Sequence, residues 1–421
     1  MKGYSVVGKP LPRYDGVLQV TGRATYGIDL SRPGMLHARM LRSPWPHARI
    51  VGVDVSAALR VPGVRAVVTA ADVPYNRFGF THLDQPVLAE DKVRYRGDAV
   101  AAVAATTLDE AEEALEAIRV EYEPLPAVFD PVEALEPQAP KVHGESNIAE
   151  RINIQFGDVE RGWADSDEII EETFRTQMVE HCHLEPHAGL AEVDERGVIT
   201  VHSSVQRPFL IAADLSKILR VPMNRVRVVV TAVGGGFGGK NEITFEPVLA
   251  LLALKTGRPV KMVYSREEEF RATTVRHPYI LQYRSGVKRD GTLVARHVKI
   301  TSDCGAYVSW GAWTLSKAAI HAAGPYVIPN VRIEGLLVYT NNNVGGAMRG
   351  FGVPQVAFAY ESHTDTLAAA LGMDPVEFRL KNLLRDGGTL PTGQVLDRVT
   401  LLDTMKAAVD MAGWKEAIRW R

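Results

Sequence analysis

The stretch Val233-Gly234-Gly235-Gly236-Phe237-Gly238-Gly239-Lys240 gathers five glycines around one aromatic side chain. Glycine bares the backbone N–H groups and reaches φ values that other residues avoid, so a large group can approach the main chain closely. Set between a strand and a helix, such a loop would be an anion cradle, with amides and the positive helix end facing a phosphate. Gly234, Gly236 and Gly239 satisfy G-x-G-x-x-G, but the nearest strand-end acid, Glu267, comes late for a dinucleotide ribose. Gly234 to Lys240 also satisfies G-x-x-x-x-G-K, but Asn241 stands where magnesium needs a hydroxyl. A tight turn with no ligand is the bland alternative, and it leaves the entropic cost of so many glycines uncompensated.

A second loop, Gly345-Gly346-Ala347-Met348-Arg349-Gly350-Phe351-Gly352-Val353-Pro354-Gln355, sets one arginine and one phenylalanine among small residues. His181, His183 and Glu185 would share one face of an extended strand, and zinc accepts such ligands. The competing reading makes them half-buried structural residues near a domain junction. Gln206 follows an apolar run and offers a neutral amide donor, or else an exposed strand-end amide.

The loops need a frame. Arg225 to Thr231 reads as a buried strand before the first loop, and Phe245 to Leu254 as an apolar helix after it. Further strands are expected at Ile169 to Phe174, Gly197 to Ser203, Val260 to Tyr264, Ile280 to Ser285 and Leu293 to Thr301. Helices are expected over 208–219, 244–256, 355–371 and 401–412. Earlier in the chain, Ala99 to Ala104 reads as a buried strand. Leu108 to Val120 follows as an amphipathic helix with Leu108, Ala111, Leu115 and Ile118 on one face, and Val120-Glu121-Tyr122 returns as a strand. Residues 126–150 are proline-rich and read as a wrapping linker between a first unit, 1–125, and a second, 151–421. The pattern is α+β with mixed sheets.

Together the two loops resemble those of the molybdenum hydroxylases, the family of xanthine dehydrogenase and aldehyde oxidoreductase. Other matching pieces occur in the family's order: Asp15 to Asp29, Ser43 to Ile50, Arg96 to Ala101, Leu184-Glu185-Pro186, Ser204-Val205-Gln206, Ser265 to Glu268 and Pro325 to Asn330. The resemblance covers nearly the whole chain. It implies an N-terminal α/β hammerhead domain followed by the first part of the molybdopterin-binding domain. It implies a molybdenum–molybdopterin cofactor, in the cytosine dinucleotide form, held by Gln206, Gly236, Phe237, Gly238 and Arg349 with no direct metal ligand from this chain. Amides near Phe237, Gly238 and Arg349 would sit beside the cofactor, and Gln206 would donate to an oxygen of the metal. Phe351, Asn241 and Lys317 would face the substrate, Phe351 by stacking.

The departures narrow the reading. Lys317 stands where purine-hydroxylating members place an arginine, and it keeps the charge without the bidentate fork. Asn241 replaces a substrate-facing glutamate. Both speak for a small anionic heterocycle, nicotinate-like, rather than xanthine. No cysteine occurs in Val344 to Gly350, unlike the copper–molybdenum carbon monoxide dehydrogenases. The family's base glutamate, in a late Gly-Glu-Gly-like turn, has no counterpart here, so it is expected on a partner subunit. Thr392-Gly393-Gln394-Val395-Leu396, near the end at Arg421, matches the larger half of the split-subunit, nicotinate-oxidising branch; a truncated gene is the other explanation. The implied reaction hydroxylates an electron-poor carbon with oxygen from water. Electrons would leave for iron–sulfur clusters and FAD on other subunits. An aldehyde oxidoreductase, a xanthine dehydrogenase-type subunit and a non-catalytic scaffold are the alternatives.

Composition bounds these readings. A chain of 421 residues can hold two or three domains. A net charge of −2 gives no bulk attraction to nucleic acid or anionic membrane. No apolar run reaches the roughly 18 residues of a membrane span. Met1-Lys2-Gly3-Tyr4-Ser5 carries no apolar signal region, so a cytoplasmic setting is expected. The two cysteines, Cys182 and Cys304, are too few for an iron–sulfur cluster, which takes about four thiolates.

Overall fold

The computed structural model describes residues 3–414; Met1, Lys2 and 415–421, and with them both ends of the chain, lie outside it. Two mixed sheets carry the molecule. The first has seven strands in the order Val226–Val230, Ile199–Ser203, Ala188–Val193, Val260–Val263, Leu36–Arg42, Ala99–Ala105 and Val64–Thr69. Its middle joint is the parallel pairing of Leu36 with Val260 and Ala38 with Met262. Strands from the beginning of the chain and strands flanking the first glycine loop therefore share one sheet.

The helix Glu246–Thr256 is buried on every side from Glu246 to Ala253, with Val248, Leu249, Ala250, Leu252 and Ala253 fully enclosed, and reaches the surface only in its last turn. It ends at Gly257, whose φ of +63° closes the helix in the left-handed region that glycine tolerates. The helix Pro208–Leu219 buries Ile211, Leu215 and Ile218 on the same core.

The second sheet has five strands in the order Ile148–Phe156, Asn330–Tyr339, Leu293–Gly305, Tyr279–Val287 and Glu168–Arg175. The helices Gly311–His321 and Val353–Ala370 pack against it and carry Leu315, Ala318, Val356 and Ala359 into its core. A three-stranded sheet, Lys92–Val93, Ala48–Asp54 and Arg119–Pro124, completes the N-terminal part.

The expected helix after Ala104 is present as Leu108–Ala117, started by a Thr107–Glu110 capping box. Its buried face centres on Ala111 and Ala114 rather than on Leu108, which is exposed. The proline-rich segment is anchored at intervals. Asn341 Oδ1 accepts the Val128 amide at 3.0 Å, and Val128, Ala134 and Val142 enter the core of the five-stranded sheet. No helix among the described residues is long and apolar enough to cross a membrane.

Candidate functional site

The first glycine loop leaves the edge strand Val226–Val230 and ends in the helix Glu246–Thr256, as the sequence pattern requires. The anion cradle expected at that helix is not formed there. Glu246, the first helical residue, is buried, and its own carboxylate fills the position: Oε2 accepts the Thr244 amide at 2.8 Å and Oε1 accepts the Ser203 hydroxyl at 3.0 Å. A phosphate would meet a like charge.

The glycines serve close packing against other protein segments. A Cβ on Gly234 would lie 2.5 Å from the Glu185 Cβ, one on Gly236 2.5 Å from Gln206 Oε1, and one on Gly239 2.9 Å from the His181 ring. Gly238, at φ +111°, would drive a Cβ to 2.3 Å from the Ala347 carbonyl oxygen. The first loop is thus wedged between the segment 181–187, Gln206 and the second loop.

Buried carboxylates fix both loops. Glu185 accepts the Gly27 amide at 3.0 Å, the Gly234 amide at 2.8 Å and the Lys240 ammonium at 2.8 Å. Lys240 is fully buried, and desolvation pulls its pKa down against the attraction of Glu185. Glu242 accepts from Ser309 Oγ at 2.5 Å, and the position of a Cβ on Gly346 lies 2.4 Å from its Oε1. Burial pushes the Glu242 carboxyl up to about 7.

The segment 181–187 is not a strand, and Cys182 takes a φ of +52°. Hence His181, His183 and Glu185 do not form the shared face drawn from the sequence. His181 Nε2 lies 2.8 Å from the Ala347 carbonyl oxygen, beneath the second loop. His183, His187 and Glu269 instead bring potential ligand atoms within 4.8 Å of one another. Glu269 is committed to His187 Nδ1 at 2.9 Å and to the His187 amide. Burial opposes its ionisation, but the His187 contacts hold it down at about 2.

Above this frame the two loops meet. The Arg349 amide donates to the Phe237 carbonyl at 2.8 Å, and the Gly238 amide donates to Gln206 Oε1 at 3.0 Å. The Lys240 amide also approaches Gln206 Oε1, at 3.4 Å, and the Gln206 amide N–H returns to the Lys240 carbonyl at 2.8 Å. Of the three amides expected to face a cofactor, those of Gly238 and Arg349 are therefore spent inside the protein. The Phe237 amide, with those of Gly235 and Gly236, has no protein partner among the described residues. Tying down Oε1 also orients the Gln206 side chain, so Nε2 is left as a directed donor. Phe237 itself holds φ +51° and is 46% exposed.

Phe351 also takes a positive φ, +52°, and its ring lies 6.1 Å from Trp310 in an edge contact. The next residue, Gly352, presses on the helix Gly311–His321: a Cβ there would sit 2.4 Å from the Thr314 carbonyl oxygen. That helix carries Lys317 on its exposed side, where its ammonium has no acidic partner among the described residues. Asn241 lines a cavity of about 180 Å³ with Phe80, Glu242, Ser309 and Trp310. Glu242, which the sequence motifs do not single out, brings a carboxylate to the same cavity as Asn241, as does Asp214. The only local signal of Glu242 is its place directly after Asn241.

The chemistry of the donors suits a large oxo-bearing cofactor. Gln206 Nε2 and the amides of Gly235 to Phe237 are neutral donors that do not titrate, gathered beside two loops held rigidly from below.

Two mixed sheets and two interlocked glycine loops thus make one α+β architecture built around a cofactor-sized group of donors. The model of the molybdopterin cofactor-binding domain matches residues 142–383, and that of the aldehyde oxidase and xanthine dehydrogenase a/b hammerhead domain matches residues 21–126. The chain belongs to this family of molybdenum oxidoreductases. It is 42% identical to the nicotinate dehydrogenase large molybdopterin subunit of Eubacterium barkeri, covering 98% of this chain and 97% of that one. It is 36% identical to the xanthine dehydrogenase molybdenum-binding subunit of Escherichia coli O157:H7, covering 96% of this chain and 56% of that one. Aldehyde oxidoreductase from Desulfovibrio gigas superimposes with a TM-score of 0.93 at 33% identity, over 97% of this chain and 47% of that chain. The chain therefore spans nearly all of the first relative and about half of the other two.

Proposed function

We propose that this chain is the large molybdopterin-binding subunit of a multi-subunit molybdenum hydroxylase acting on a nicotinate-like N-heterocycle. The observation that carries the reading is the Gln206 amide: its oxygen is tied to the first glycine loop and its nitrogen has no partner among the described residues. Gln206, Gly236, Phe237, Gly238 and Arg349 would hold the cofactor. Gln206 Nε2 and the Phe237 amide are the direct donors, Gly238 sets the spacing of the loops, and the Arg349 amide locks them together. When bound, the molybdenum–pterin group, in its cytosine dinucleotide form, supplies a two-electron oxidation that takes oxygen from water. This chain binds and orients. Phe351 offers an aromatic face, Asn241 a neutral amide and Lys317 a cation to the substrate. The base glutamate, the iron–sulfur clusters and FAD belong to partner subunits in this reading, and the complex works in the cytoplasm.

The full-length alignment with a subunit named as one of a set supports the split organisation. Glu242 favours a second substrate reading. A carboxyl group in the cavity can bond the N–H edge of an uncharged heterocycle such as a purine. Expression of the chain with its partner subunits, followed by molybdenum analysis and rates on nicotinate, xanthine and an aldehyde, separates these readings. Preference for nicotinate supports the first; preference for xanthine or the aldehyde overturns it.

A further inference from the structure

Arg207 directly follows Gln206 and stands at the N-cap position of the helix Pro208–Leu219, with no capping bond from its side chain. Its guanidinium lies over the Trp310 ring, 4.7 Å from the centroid. It makes no ion pair and donates no side-chain hydrogen bond among the described residues, although the side chain is exposed. A cation–π contact of this kind holds a guanidinium in place while leaving its N–H fork open.

The surface under it is aromatic. Trp310 stacks on Phe80 at 3.8 Å and meets Phe351 edge-on at 6.1 Å. Trp310 and Phe80 also line the cavity of about 180 Å³, with Asn241, Glu242 and Ser309 as its polar wall. A cavity of ~150 Å³ accepts a benzene ring, so this one accommodates a single six-membered ring with a small substituent. The other charged groups on the cavity wall are Lys217 and Asp214, three residues apart on the Pro208–Leu219 helix, and Lys217 offsets the charge of Asp214. Arg207 has no such neighbour; it is not itself part of the lining, but it lies over Trp310, which is.

We propose that Arg207 recognises the carboxylate of the substrate: the ring enters the cavity beside Trp310 and Phe351, and the carboxylate pairs with the guanidinium fork above Trp310. This inference rests on the anionic-heterocycle reading of the site and extends it to a residue one position from Gln206. A planar carboxylate matches the fork bidentately, which an ammonium such as that of Lys317 cannot do.

The test uses the assembled complex with pyridine-3-carboxylate and its uncharged isostere pyridine-3-carboxamide. Arg207→Met should raise KM for the carboxylate at least tenfold and leave KM for the carboxamide within about twofold, with the loss in KM rather than kcat. Arg207→Lys should recover part of the difference. Molybdenum content should match wild type, which separates a binding defect from failed assembly. As a readout independent of turnover, the carboxylate should quench Trp310 fluorescence in wild type, and that signal should vanish in Trp310→Phe. In Arg207→Met the quench should require at least tenfold more carboxylate.

If wild type prefers the carboxylate but Arg207→Met shifts both ligands equally or neither, this inference fails and the substrate reading stands. If wild type ignores the carboxylate and turns over only uncharged compounds, both fall.

Discussion

The Phe237 carbonyl accepts the Arg349 amide at 2.8 Å, so two glycine loops from distant parts of the chain form a single rigid surface. Below it the Gly238 backbone has no room for a side chain, because the Ala347 carbonyl oxygen occupies the place of its Cβ. The position of each loop depends on the other.

Gly238→Val forces these loops apart. It combines a φ of +111° with a Cβ only 2.3 Å from a backbone oxygen, which cannot rotate away. We expect a destabilisation of about 3 kcal/mol or more and a loss of bound molybdenum. Thermal unfolding and metal analysis of the purified complex check this, and wild-type values for both would refute the account of the loops.

Gln206→Glu separates the two ends of one amide. The carboxylate still accepts from the Gly238 and Lys240 amides, so the loop should keep its shape. The donor nitrogen is gone and a negative charge stands in its place. Turnover should fall at least ~100-fold while the fold persists, comparable with losing one preorganised donor. Unchanged turnover in a folded, molybdenum-loaded variant would remove Gln206 from the site.

Lys240→Met leaves Glu185 buried without its counter-charge. The cost should be about 3–5 kcal/mol. The double change Lys240→Met/Glu185→Gln should recover part of it. Chemical unfolding of Lys240→Met, Glu185→Gln and the double variant measures the coupling. Additive effects would mean that the pair does not act as a pair.

Glu242 makes stability depend on pH. Its folded pKa is raised to about 7 from an ordinary 4.5, so the folded chain keeps a proton that the unfolded chain has released. The associated stabilisation is full below about 4.5 and is lost as pH rises through about 7. Glu242→Gln abolishes this contribution. Relative to that variant, wild type should lose on the order of 2 kcal/mol between pH 5 and pH 8. Parallel unfolding profiles for the two proteins would contradict the burial of this carboxyl.

Much of the frame is legible because its residues repeat with simple periods. The helix expected over 208–219 occurs as Pro208–Leu219, and the strand read as buried at Arg225 to Thr231 occurs as Val226–Val230, but at the sheet edge with only Val226 buried. The helix Val353–Ala370 begins two residues before its expected start, since Pro354 suits a first turn. The strand Ala188–Val193 escapes the pattern because its first four residues are buried in succession, and Asn330–Tyr339 alternates only as far as Leu336 before running buried from Leu337 to Tyr339. In the site, the glycine loops are legible from composition. The partners of those glycines are not, since Glu185, His181 and Ala347 reach them only through tertiary contact. Arg207 carries no local signal at all; its meaning comes from Trp310, far along the chain.

Lys317→Met tests the second cation proposed for the substrate site. The change keeps the aliphatic length and removes the charge. KM for an anionic heterocycle should rise about tenfold, the loss of one charge-assisted contact. An unchanged KM would return Lys317 to the role of an ordinary exposed lysine on the helix Gly311–His321.

The most direct test of the account is molybdenum and pterin per chain, measured together with substrate-dependent dye reduction, for the chain alone and for the chain assembled with its partner subunits. The assembled complex should hold about one molybdenum–pterin group per chain and reduce dye on addition of pyridine-3-carboxylate, while the isolated chain should show no turnover. An assembled complex devoid of molybdenum, or robust turnover by the isolated chain, would contradict it.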